Sequence, residues 1–135
     1  MTEYNKPLPE ITFLNEPFWE GTKQHKLLLQ KCDDCSAFRF TPKEVCPNCT
    51  SVSATWTEVS GNGTIYSYST VHRGPSAGFQ EDAPYSVVMV QLAEGPRIIS
   101  HVIDCSPDDV TIGMAVSVVF EDINPDITLY KFRPS

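Results

Sequence analysis

Two cysteine pairs, Cys32-x-x-Cys35 and Cys46-x-x-Cys49, stand ten residues apart and constrain this chain more than any other feature. Thiolates are soft ligands, and four of them at tetrahedral angles satisfy a Zn²⁺ ion with no position left open for water. A gap of two residues lets one tight turn present both sulfurs on one side, and two such turns facing each other complete the site. The spacing predicts a structural Zn²⁺ held by Cys32, Cys35, Cys46 and Cys49. Iron in a four-thiolate centre and disulfides are the alternatives.

With 135 residues, the chain has room for one core plus a small metal-stapled module. Its longest apolar runs, such as Val87–Val90, are too short to span a bilayer, so no membrane role is expected. The N-terminus lacks the basic-then-apolar order of a secretory signal, and five cysteines, an odd number, point to a reducing cytoplasmic setting. Net charge is −7, unevenly spread: residues 1–50 hold seven acids against six bases, residues 51–135 ten against four. So acidic a second half repels phosphate backbones, and no nucleic-acid partner is expected.

Residues 1–14 read as an extended arm with prolines at 7 and 9. Asn15-Glu16-Pro17 supplies an N-cap, an acid and an early proline for a short helix from Pro17 to about Gln24. Gly21 inside that helix means that packing must hold it. Lys26–Lys31 is a strand running into the first cysteine knuckle, and Phe38-Arg39-Phe40 leads toward the second, the plan of a zinc ribbon. From Thr55 the period changes to two. Strands are predicted over Thr55–Ser60, Thr64–Val71, Ser86–Leu92, Arg97–Ile103, Ala115–Glu121 and Thr128–Phe132, with a turn or bulge at Gly61-Asn62-Gly63. Ser106-Pro107-Asp108-Asp109 suits one helical turn. This pattern fits a mainly β protein: an N-terminal arm, helix and zinc ribbon over 1–54, then a Greek-key barrel of the OB type over 55–135.

The chain resembles the family long labelled "domain of unknown function 35", which pairs a rubredoxin-like zinc ribbon with an OB fold. The matching stretches are Pro17–Glu20, Leu28–Cys35, Arg39–Cys49, Gly61–Ser67, Pro84-Tyr85, Gly113–Val116 and Phe132–Pro134, spanning nearly the whole chain. The resemblance implies an accessory subunit of thiolase-like, aldolase or hydratase proteins that act on acyl-CoA thioesters. Departures fall at Ser36 and Thr50, which follow each knuckle where glycine is common, and at His25, where the helix usually exits through glycine.

No catalytic residue is predicted. Cys105 and His101, four residues apart on a strand, lie about 13 Å from each other, beyond hydrogen-bond reach. His72 and Arg73, before a Gly/Pro-rich loop over Gly74–Ala83 that includes Phe79 and reads as mobile, are candidate contacts for a CoA phosphate or a partner carboxylate. A solvated loop is the plainer reading. Phe18 and Trp19 either anchor a partner or pack the helix onto the barrel. Tyr66 and Tyr68 share a strand face and suit base stacking or packing. Val88, Val90, Ile98 or Ile99, Val102, Val116 and Val118 are expected inside the barrel. The preferred reading is a non-catalytic subunit that binds such an enzyme and helps bind or channel acyl-CoA; the alternative is a nucleic-acid-binding OB-fold/zinc-ribbon protein.

Overall fold

The computed structural model describes residues 6–135, so the first residues of the expected arm lie outside the described region. Helix α1 (Glu16–Lys23) follows a turn in which Thr12 and Asn15 bond each other reciprocally: Thr12 N–H donates to Asn15 Oδ1 at 2.7 Å, and Asn15 N–H to Thr12 Oγ1 at 3.2 Å. Asn15 holds the N-cap position, but its side chain faces back into that turn and makes no cap bond to the helix. Gly21 is required by close approach, because a Cβ there would sit 2.7 Å from Leu28 Cγ on the strand beneath. The small residue lets an eight-residue helix lie tight on its sheet.

Helix exit falls at His25, with φ +58°, and leads into β1 (Leu27–Cys32). That strand is the middle of a three-stranded antiparallel sheet, β2-β1-β3, with β2 Phe38–Arg39 and β3 Ala54–Val59. β3 pairs with the whole of β1, from Leu27↔Val59 to Cys32↔Ala54. The chain then turns at Gly61 (φ +80°), where an added Cβ would collide with Val118 Cγ1 at 2.2 Å.

Five strands follow in the order β6-β5-β4-β7-β8: β4 Asn62–Val71, β5 Tyr85–Leu92, β6 Arg97–His101, β7 Ala115–Asp122 and β8 Thr128–Pro134. Neighbours are antiparallel, and the register of β4 on β5 shifts between Ile65 and Ser67, leaving Tyr66 without a β5 partner. Such a bulge bends the long strand so that it can pair with both β5 and β7. A parallel bridge, Val102↔Phe132, brings the third barrel strand to the fifth and nearly closes the barrel. Arg97–His101 is therefore shorter than expected: Val102 N–H still donates to Ser86 O of β5 at 3.4 Å while Val102 bridges Phe132, and Ile103 N–H donates to Phe132 O at 2.8 Å.

Inside, Val88, Val90, Ile98, Val102, Val116 and Phe132 are buried. Ile98 points inward and Ile99 outward, while Val118 is only partly buried. Side chains fill this interior. The expected loop over Gly74–Ala83 instead contains a short helix, α2 (Ala77–Asp82), pinned by a bond from Gly74 N–H to Gln80 Oε1 at 2.9 Å. Six residues carry too little apolar period to announce a helix in sequence. No helix among the described residues is long and apolar enough to cross a membrane.

Candidate metal centre and the grooves around it

The two knuckles are built alike. Ser36 N–H donates to Cys32 O (3.0 Å) and Thr50 N–H to Cys46 O (2.9 Å); Cys32 N–H reaches Ala37 O (2.9 Å) and Cys46 N–H reaches Ser51 O (2.8 Å). Each turn places the residue after its second cysteine at positive φ, +64° at Ser36 and +66° at Thr50. These are the two positions where the family resemblance led glycine to be expected. The backbone requirement is real, and here it is met by side-chain-bearing residues at some conformational cost.

The turns bring four sulfurs within 4.8 Å of one another, with Cys32 and Cys49 at 3.5 Å and Cys35 and Cys46 at 3.7 Å. A tetrahedral zinc shell with Zn–S of about 2.3 Å sets sulfurs about 3.8 Å apart, whereas a disulfide needs about 2.05 Å. The four sulfurs fit one metal ion, and all five cysteines are free thiols. Asn48 supports the site from its own knuckle and across it. Its backbone N–H points at Cys46 Sγ (3.4 Å) and its side-chain amide at Cys35 Sγ (3.5 Å), the latter bond drawing the Cys35 thiol down to about 6. Asp34 accepts from Ser51 across the two knuckles, and Asp33 accepts from Ser53 and Thr55, tying the first knuckle to β3.

Phe18 and Trp19 take the packing role in this chain. They are 3% and 9% exposed and form an aromatic cluster with Tyr130 of β8; Phe18 lies 4.9 Å from Trp19 and 5.4 Å from Tyr130, ring centre to ring centre. Phe40 joins from the ribbon at 5.7 Å from Phe18. α1 therefore cements ribbon and barrel together, and only the rim of Trp19 reaches a surface groove.

That groove, of about 440 Å³, runs between α1, β6, β8 and the arm, lined by Trp19, Phe79, Ile99, His101, Leu129 and Tyr130. The arm segment Lys6–Pro9 forms one side, anchored by an ion pair from Lys6 Nζ to Asp82 at 2.7 Å. Two of the predicted contact residues, Trp19 and Phe79, thus meet in one place. His72 and Arg73 do not: both are exposed beyond the end of β4.

His101 and Cys105 do not meet either. His101 packs its ring against Tyr85 (4.9 Å) and Phe79 (6.2 Å), and burial lowers its pKa. Cys105 bonds Ser106 O at 3.5 Å, and burial raises its thiol further from reactivity. Tyr66 and Tyr68 are exposed, contrary to a packing role, with the Arg97 guanidinium 3.7 Å above the Tyr66 ring.

A second groove, of about 320 Å³, has no counterpart among the sequence expectations. It lies between the ribbon and the β5–β6 hairpin and is lined by Phe38, Arg39, Phe40, Lys43 and Arg97 among others. The alternation Phe38-Arg39-Phe40 was the available signal, since a strand that half-exposes both phenylalanines turns the arginine inward.

A ribbon of paired knuckles, stapled by its own cysteines and packed against an OB barrel, defines the class: a zinc-ribbon/OB-fold protein. Residues 19–53 match the ChsH2 rubredoxin-like zinc ribbon domain, and residues 56–121 the ChsH2 C-terminal OB-fold domain. A DUF35 domain-containing scaffold protein of Methanocaldococcus jannaschii is 38% identical, covering 86% of this chain and 87% of its own length. The chain belongs to the DUF35 family. It is also 35% identical to a probable enoyl-CoA hydratase alpha subunit of Thermomonospora curvata, over 96% of this chain, which spans only 40% of that relative's length. Among solved structures, a chain of the Ltp2-ChsH2(DUF35) aldolase is 35% identical with a TM-score of 0.83, covering 94% of this chain and 98% of that one.

Proposed function

We propose that this chain is a non-catalytic subunit that docks on a hydratase or aldolase acting on acyl-CoA thioesters and supplies part of the wall along which the thioester lies. The observation that supports this most is the near-complete match, at 0.83 TM-score, to a chain belonging to an aldolase assembly. The chemistry of the chain agrees: its one non-knuckle cysteine is half-buried with a raised pKa, and the half-buried His101 packs on aromatic rings.

In this reading the metal fixes the ribbon, and Cys32, Cys35, Cys46 and Cys49 hold it with no position for water. Bound zinc supplies folding free energy rather than Lewis-acid chemistry. The ribbon side presents Phe13 (96% exposed), Val52 (79%) and Val45 (45%) for contact with the enzyme, since exposed apolar side chains of this size mark interaction surfaces when they cluster. Phe13, Val45 and Val52 border one hollow. The apolar groove at Trp19, Phe79 and Leu129 takes the pantetheine arm or acyl chain.

Native purification from the source cell, with identification of the co-eluting protein and an acyl-CoA turnover assay, tests the proposal. The expected result is an acyl-CoA hydratase or aldolase at fixed stoichiometry, with turnover only in the complex. Turnover of an acyl-CoA by the lone chain would overturn it.

A further inference from the structure

Strand β3 (Ala54–Val59) is paired on one side only: its sheet runs β2-β1-β3, and among the described residues no further strand lies beyond it. Its register on β1 is unbroken, without a bulge, and it holds neither proline nor lysine, the usual guards of an exposed edge. Other edges in the molecule are blunted. β2 is two residues long, and β6 and β8 nearly close on each other through Val102↔Phe132.

Which backbone groups stand free follows from the ladder. Asp33 N–H donates to Ser53 O at 3.0 Å, one step beyond the Cys32↔Ala54 pair, and antiparallel pairs alternate between bonded and non-bonded. Thr55, Thr57 and Val59 therefore turn their N–H and C=O groups toward β1, whereas Ala54, Trp56 and Glu58 turn theirs away from it. The far side of β1 agrees: Cys32 N–H, opposite Ala54, goes to Ala37 O on the β2 side at 2.9 Å. Among the described residues, no protein group bonds the backbone of Ala54, Trp56 or Glu58. Three donors and three acceptors along one straight edge are a template for another strand.

We infer that β3 pairs with β3 of a second copy of this chain, antiparallel about a two-fold axis through Trp56, making one six-stranded sheet from two ribbons. The edge is complementary to itself in that register. Ala54 faces Glu58 of the second copy and Trp56 faces its counterpart, so all the free groups of both copies are used. Between them Thr55 faces Thr57, once on each side of the axis, and Thr–Thr and aromatic pairs are favourable across strands. The one charged residue of the strand, Glu58, meets an alanine. The two Glu58 residues stand four positions apart, about 13 Å along the strands, more than a Debye length at physiological salt. Charge favours the same arrangement on a larger scale. Residues 1–50 hold seven acids against six bases, whereas the barrel half carries the negative excess, and antiparallel pairing sends the two barrels to opposite ends of the shared sheet. The inference is independent of which enzyme the chain docks on.

Sedimentation equilibrium of the zinc-loaded full chain tests it. A reversible dimer of twice the chain mass is expected, and charge changes at position 54 read its register. Ala54→Glu sets two like-charge pairs against Glu58 and should weaken dimerisation about tenfold, whereas Ala54→Lys should tighten it. Adding Glu58→Lys to Ala54→Glu makes both pairs attractive and should restore the dimer, which a misfolded variant would not do. A chain that stays monomeric across the concentration range, including one whose edge pairs only with a strand of an enzyme, would overturn the inference. So would a dimer indifferent to these changes.

Discussion

His25 Nε2 lies 3.1 Å from Asp122 Oδ1, and its ring stacks on Phe120 at 5.3 Å, so the residue that ends the helix also fastens it to β7. This explains a histidine at φ +58°, where glycine would be relaxed. His25→Gly and His25→Ala both lose the two contacts, but only alanine keeps the backbone penalty. The alanine variant should therefore be the less stable of the two by about 1 kcal/mol in denaturant unfolding. Equal midpoints would show that the positive φ is unstrained.

The knuckle residues Ser36 and Thr50 offer the complementary experiment. Neither is a ligand, and both sit at positive φ with their backbone N–H groups closing the turns. Ser36→Gly and Thr50→Gly should each stabilise the metal-loaded chain by up to about 1 kcal/mol. Loss of stability on either change would mean that the side chains contribute more than the backbone strain removes.

Phe18 joins α1 to Tyr130 of the barrel and Phe40 of the ribbon. Phe18→Ala should cost about 3–5 kcal/mol, the range for a large aromatic removed from a packed core. A cost below about 1 kcal/mol in urea unfolding would show that the helix is only loosely seated and free to serve a partner.

The fold was largely legible because its signals are local: a repeated knuckle, period-two strands and turn residues at the breaks. Asn15 marked the helix start correctly but for another bond, as its side chain closes the preceding turn. The site was less legible. The long-range pairing that brings Lys6 to Asp82, or Arg97 to Arg39 across the groove, depends on how ribbon and barrel pack, and no spacing in sequence encodes it. In sequence, His101 offers itself only as a base for Cys105. Its actual neighbours, Phe79 and Tyr85, come from α2 and the adjacent strand.

Burial gives His101 a measurable signature. Its pKa is lowered by desolvation and by the Lys131 and Lys6 charges, against the opposing pull of Asp82. The unfolded chain then binds the proton first as pH falls through about 6.5, so stability drops from that point until the folded imidazole also titrates. His101→Gln should flatten the loss of stability between about pH 7 and 5 relative to the parent. Parallel stability–pH curves would remove His101 from the account.

The arrangement rests on one metal ion gripped by four sulfurs, and X-ray absorption at the zinc edge on freshly isolated protein reads that directly. One zinc per chain is predicted, with four sulfur neighbours at about 2.3 Å and no light-atom ligand. Metal-free protein, or a shell containing nitrogen or oxygen with an open position, would contradict it.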